Sequence, residues 1–127
     1  MPKRIQRRRT SGYKLPAGCL YVGRPTIWGN PFLFVQKEYS DELALKLYAE
    51  LARGGWDPSI VEGLLDEEVA KIYEAHHQWL KRIQIHPVER AISDLRGHDL
   101  ACWCPLVGKD GAKVLCHADV LLEIANR

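Results

Sequence analysis

The first 37 residues contain no aspartate or glutamate, although they hold eight lysines and arginines. Residues 38–127 reverse the balance, with ten basic and sixteen acidic side chains. The formal net charge of +2 therefore hides a strongly divided chain. An unneutralised basic segment favours a polyanion or a phosphorylated ligand as partner. Long apolar runs are also missing, which excludes a membrane-spanning helix of about 20 residues. The opening MPKRIQRRRT is basic but leads into no apolar stretch, so no secretory signal is expected. The expected location is the cytoplasm. No membrane partner is expected. Low-complexity tracts and fixed-period repeats are absent, which excludes linker-like and solenoid architectures. Neither the P-loop nor the dinucleotide-binding glycine pattern occurs.

What is present fits one globular domain: 127 residues, 46% hydrophobic and 27% charged. The four cysteines are Cys19, Cys102, Cys104 and Cys116. With no export signal, free thiols or metal ligands are expected rather than disulfides. Cys19 stands alone and reads as a small buried hydrophobe.

The pattern of elements predicts an α/β fold. Residues 1–16 form a basic arm or an edge segment, with KRIQRRR at positions 3–9. Cys19–Gly23 reads as a short strand, and 32–36 (FLFVQ) as a second strand or buried extended segment. Helix signals begin with Ser40 or Asp41 as N-cap, place Leu43, Leu47 and Leu51 on one face, and stop at Gly54-Gly55. Residues 56–64 form a connection or a short helical turn around Pro58. A longer helix is expected over 66–83, with Val69, Ile72, Tyr73, His76, Leu80 and Ile83 as its apolar stripe. Pro87 opens a further helix that Gly97 closes, residues 99–104 (DLACWC) read as a strand, and a last helix covers about 116–126. The expected fold is a small single domain with a short, mostly parallel sheet of about three to four strands packed by about four helices. The strands at 19–23 and 99–104 should be parallel neighbours, since a long helical crossover joins them.

Two segments carry candidate chemistry. In the first, Gly23–Phe32 (GRPTIWGNPF) leaves the end of a strand, where open α/β sheets gather ligands. Arg24 can hold a phosphate, Thr26 and Asn30 can donate to an oxygen, and Trp28 can stack on a base or sugar. Trp28 and Phe32 equally suit a core plug, and Asn30-Pro31 a plain turn. Upstream of this loop, Arg4, Arg7, Arg8 and Arg9 are candidates for recruiting nucleic acid.

In the second segment, Cys102 and Cys104 share one face of a predicted strand. Cys116 and His117 stand at a predicted helix start, a position that lowers a thiol's pKa and attracts anions. Three chemistries fit these residues. Cys102, Cys104, Cys116 and His117, with His98 as a helper, have the right ligand types for zinc. A straight strand, however, holds the two C-x-C sulfurs too far apart for one ion unless it bends. Cys104 or Cys116 with His117 as base would make a catalytic thiol centre. Buried cysteines and a helix-start histidine that merely pack would account for the same residues.

The motifs R-I-Q-R-R-R-T-S-G, Y-V-G-R-P-T-I-W-G-N-P-F, D-L-A-C-W-C-P and C-H-A-D-V-L-L follow one another along nearly the whole chain. In this order they resemble domain of unknown function family 4326, an uncharacterised family of bacteria and their phages. The resemblance implies a small bacterial or phage protein and carries no catalytic roles. The stretch LVGKDGAKVL between Pro105 and Cys116 is longer than that family's usual loop. A looser likeness is to domain of unknown function family 488, with Ala118 here where that family has arginine. The expectation is a nucleotide- or nucleic-acid-directed enzyme with a Cys/His centre. The alternative is a non-catalytic nucleic-acid- or host-protein-binding module, with the cysteines holding structural zinc or simply packed.

Overall fold

The computed structural model describes residues 2–127. Three short strands form one sheet in the order β1-β3-β2. They are β1 (Arg4–Gln6), β2 (Leu20–Tyr21) and β3 (Leu100–Cys102). Both outer strands run parallel to β3, with Arg4 and Leu20 each in register with Leu100. The expected parallel pairing of the strands at 19–23 and 99–104 is thus present, and the basic N-terminal segment supplies an edge strand. All three β3 residues are buried, as a central parallel strand covered on both faces requires.

Among the described residues, five α-helices accompany the sheet: α1 (Leu33–Glu38), α2 (Asp41–Ala52), α3 (Asp66–Ile83), α4 (Pro87–Leu95) and α5 (His117–Ala125), with a 3-10 turn at Pro58–Val61. The local reasons are legible. Ser40 Oγ accepts from Leu43 N at 3.0 Å and caps α2, whose Ala44, Leu47, Tyr48, Leu51 and Ala52 are buried. The chain leaves α2 through Gly54 at φ +81°, where an added Cβ would collide with the His86 ring. Acidic residues start α3 and Lys81 and Arg82 end it, matching the helix dipole. None of the described helices is long and apolar enough to cross a membrane.

One expectation fails here. Residues 32–36 do not form a strand; α1 covers most of them. Asn30 Oδ1 accepts from Phe32 N at 2.8 Å, which turns the chain into the helix. Phe32 and Val35, three apart, then share the buried face. The apolar run suited either conformation, and the asparagine decides between them.

The core lies between the helices and the sheet. Helix α5 packs on α2, α4 and β3. Trp79 is fully buried and meets Trp28 and Tyr48 edge-on, with ring centres 6.3 and 5.8 Å away. Tyr48 donates to Trp28 O at 2.7 Å, and its ring meets His117 edge-on at 5.3 Å. An aromatic chain therefore runs from the core to the start of α5.

Candidate functional site

Strand β3 stops at Cys102 and the chain bends at 103–104. That bend brings Cys104 back beside Cys102, where a straight strand would have kept them apart. Cys116 is the N-cap of α5: its sulfur accepts from Ala118 N at 3.4 Å, and Asp119 Oδ2 accepts from Cys116 N at 2.9 Å. The three sulfurs of Cys102, Cys104 and Cys116 lie within 4.8 Å of one another, close enough to hold one metal ion. The sulfurs of Cys102 and Cys116 are 3.2 Å apart.

Arg4 reaches this cluster from β1. Its Nη1 donates to Cys102 Sγ at 3.8 Å and to Cys104 O at 3.1 Å. Its Nη2 donates to Pro105 O at 3.2 Å and to Val114 O. Its Nε lies 3.1 Å from Asp119 Oδ2 without making a directed hydrogen bond, so that contact is one of charge. Only 8% of Arg4 is exposed. The expectation that Arg4 recruits a polyanion is corrected: its fork is occupied in tying both ends of the 104–114 loop to the thiols and to α5. Burial opposes the charged guanidinium, but Cys116, Cys102 and Asp119 together raise its pKa.

The thiols divide their protons unequally. Hydrogen bonds from Cys104 and Cys116, and then the Arg4 fork, pull Cys102 well below the ordinary thiol value. Cys104 and Cys116 are pushed up, first by their hydrogen bonds to Cys102 and also by burial. The cluster thus gives up one proton readily and resists losing the next.

His117 stands beside the cluster without joining it; its ring is not among the grouped ligand atoms. Its Nε2 is 2.9 Å from Val22 O. A carbonyl only accepts, so the proton sits on Nε2 and the lone pair on Nδ1. Burial lowers the His117 pKa, which keeps the ring neutral.

These groups line a cleft of about 430 Å³. Arg24, Asn30, Asp41 and Trp103 line it together with the cysteines and His117. The cleft opens beyond the carboxyl ends of β2 and β3, where parallel sheets present ligands.

The other sequence-predicted residues fall as follows. Arg24 is exposed and also borders a second depression with Thr26 and Asn30. Thr26 Oγ1 donates to Gly23 O at 2.6 Å, bracing the loop. Asn30 turns the chain into α1 and its Nδ2 donates to Ala44 O at 3.4 Å. Trp28 is 5% exposed, so its expected stacking on a ligand is corrected: it is a core residue held against Trp79. His98 Nδ1 contacts Gly18 O at 2.8 Å, at the amino end of β3, opposite the thiols; it is not a helper ligand. Arg7 and Arg9 lie over aromatic rings, and Arg8 is exposed. Cys19 is half-buried and apart from the cluster.

Sequence reasoning missed Tyr21, Trp103, Gln36 and Asp41 as cleft residues. Gln36 and Asp41 arrive there because α1 stands where a strand was expected. Trp103 had a signal: it alternates away from both thiols at the exposed end of a short strand.

A family model described as "Domain of unknown function (DUF4326)" matches residues 5–127. No curated protein and no solved structure gives a significant match.

Proposed function

The chain belongs to domain of unknown function family 4326 over nearly its whole length, and since membership assigns no chemistry, we propose from the site that it is a nucleotide- or nucleic-acid-directed enzyme with a zinc-binding cysteine centre. The observation that carries this is the convergence of three thiols on the buried side of a cleft whose lining also includes an exposed arginine. The donor set fits the ion. Zinc favours thiolates and takes four ligands at about 2.0–2.3 Å, and sites with three protein ligands keep one position for water or substrate. Cys102, Cys104 and Cys116 would hold it. When bound, it would supply a Lewis acid and an activated water.

The remaining residues have roles that follow from their places. Arg24, exposed at the cleft, offers a planar fork for a phosphate. Neutral His117, with Nδ1 unprotonated, can accept a proton from a group in the cleft. Arg4 compensates the negative charge that deprotonated thiols bring into a buried site. A glycosidic or phosphoryl bond is the target class these groups suit.

Elemental analysis of the purified protein tests the centre. About one zinc per chain is expected, and Cys104→Ser should lose it while the helical circular dichroism persists. Nucleotide binding, measured by calorimetry, should disappear in Arg24→Ala with zinc content unchanged. Protein purified without chelators that carries no zinc and binds none when titrated would overturn the proposal.

A further inference from the structure

Trp103 separates Cys102 from Cys104, and 38% of it is exposed. The Arg7 guanidinium carbon lies 4.9 Å from its ring centre and 4.6 Å from that of Tyr21. Arg9 lies 4.8 Å from the Trp103 ring centre. The two rings meet edge-on with centres 6.5 Å apart. Arg7 N donates to Cys102 O at 2.7 Å, so the arginine segment is fixed alongside the C-W-C turn. Among the described residues, none of Arg7, Arg8 and Arg9 has a carboxylate partner. Trp103 lines both the cysteine cleft and a second, open depression formed by Gln6, Arg7, Arg8, Arg9 and Thr10.

A guanidinium stacked on a ring keeps its N–H edge free for phosphate oxygens. The indole, 38% exposed, leaves room for a base to extend the arginine–indole stack or to take the place of one guanidinium on it. Cations without carboxylate partners, stacked on partly exposed aromatic side chains, are the combination that binds single-stranded nucleic acid. A duplex would use only the arginines, because its bases stack on each other. A free mononucleotide would leave Arg8 and Arg9, which lie outside the cleft, without a ligand.

We propose that Trp103, Tyr21, Arg7, Arg8 and Arg9 form a track for single-stranded nucleic acid that leads into the cysteine cleft. This rests on the reading of that cleft as nucleotide-directed and narrows its substrate to a single strand. Bases join the arginine–indole stack at Trp103, phosphates pair with the N–H edges of the arginines, and the strand delivers one nucleotide past Trp103 to Arg24 and the thiols.

Fluorescence anisotropy with labelled oligothymidylate and oligouridylate of about a dozen nucleotides tests the track and separates DNA from RNA. Trp103→Ala should weaken binding roughly ten- to a hundredfold, the loss of one base stack, and Trp103→Tyr should largely restore it. Removing Arg7 and Arg9 together should flatten the salt dependence by about 0.7 in log–log slope per arginine. A duplex of the same length should bind more weakly and ignore Trp103→Ala. Unchanged single-strand binding in Trp103→Ala, equal affinity for duplex, or no binding at low salt would each overturn the track. Cys104→Ser keeps the two proposals distinguishable: it should lose zinc and retain the oligonucleotide, whereas Trp103→Ala should do the reverse.

Discussion

Replacing Arg4 with methionine tests whether this residue organises the thiol site. The side chain keeps its stem's packing and loses the guanidinium. Three carbonyls (Cys104, Pro105 and Val114) and the Cys102 sulfur then lose a donor, and Asp119 loses its nearest cation. Removing one partner of a buried ion pair costs about 3–5 kcal/mol. Asp119 retains the bond from Cys116 N at 2.9 Å and a distant Lys113 at 4.0 Å, and the loop carbonyls are only part-buried. The lower end, about 3 kcal/mol, is therefore expected. At about 4 °C per kcal/mol for a domain of this size, the melting temperature should fall by about 12 °C. Arg4→Lys, which retains the charge without the fork, should fall between. Urea unfolding followed by tryptophan fluorescence measures the loss. Alkylation of the metal-free protein across pH supplies a second readout: without Arg4 the first thiol should react only at higher pH. A variant within about 1 kcal/mol of the parent, with an unmoved alkylation profile, would refute the role given to Arg4.

Acid should destabilise the metal-free protein for a reason that can be assigned. Burial holds the His117 pKa below its ordinary 6.5, so the unfolded chain takes up the proton first. The stability from neutral His117 is complete above 6.5 and is lost as pH falls from there through the folded-state value. His76, lowered by burial and by His77, adds to the same trend. Urea midpoints measured from neutral to mildly acidic pH should fall in the parent and fall less in His117→Gln; equal slopes would refute the assignment. Gly54→Ala should cost about 1–3 kcal/mol, since alanine resists positive φ and its Cβ would collide with the His86 ring. Thermal unfolding measures this, and a neutral outcome would mean that the α2 exit is not fixed by that contact.

The sequence was informative wherever local signals agreed. The helix spanning 66–83 and the one opened by Pro87 were legible from period, charge and proline placement. The segment 32–36 was not, because its apolar pattern fits two conformations and a side chain outside it, that of Asn30, makes the choice. The convergence of Cys104 and Cys116 could be expected from strand-end and helix-start positions, but the C-x-C closure depended on a bend that pairing periodicity does not encode. Arg4 was misread for an instructive reason. In a run of five positive charges nothing local distinguishes the one that faces inward. Its partners lie 98 to 110 residues further along the chain. Trp28 failed similarly, since an indole in a loop says nothing of the buried Trp79 it meets.

The Arg4 clasp also has a kinetic meaning. Residues from the first strand and the last helix must meet before the thiols are enclosed, and contacts so far apart in sequence form slowly because closing long loops costs chain entropy. The cluster is therefore expected to assemble late. During refolding, a thiol-directed label should reach Cys102 and Cys116 after the helices have formed and be excluded only when the two ends of the chain come together. With that order the site would report the last step of folding, and premature oxidation or metal capture by the open chain would be the hazard of the delay.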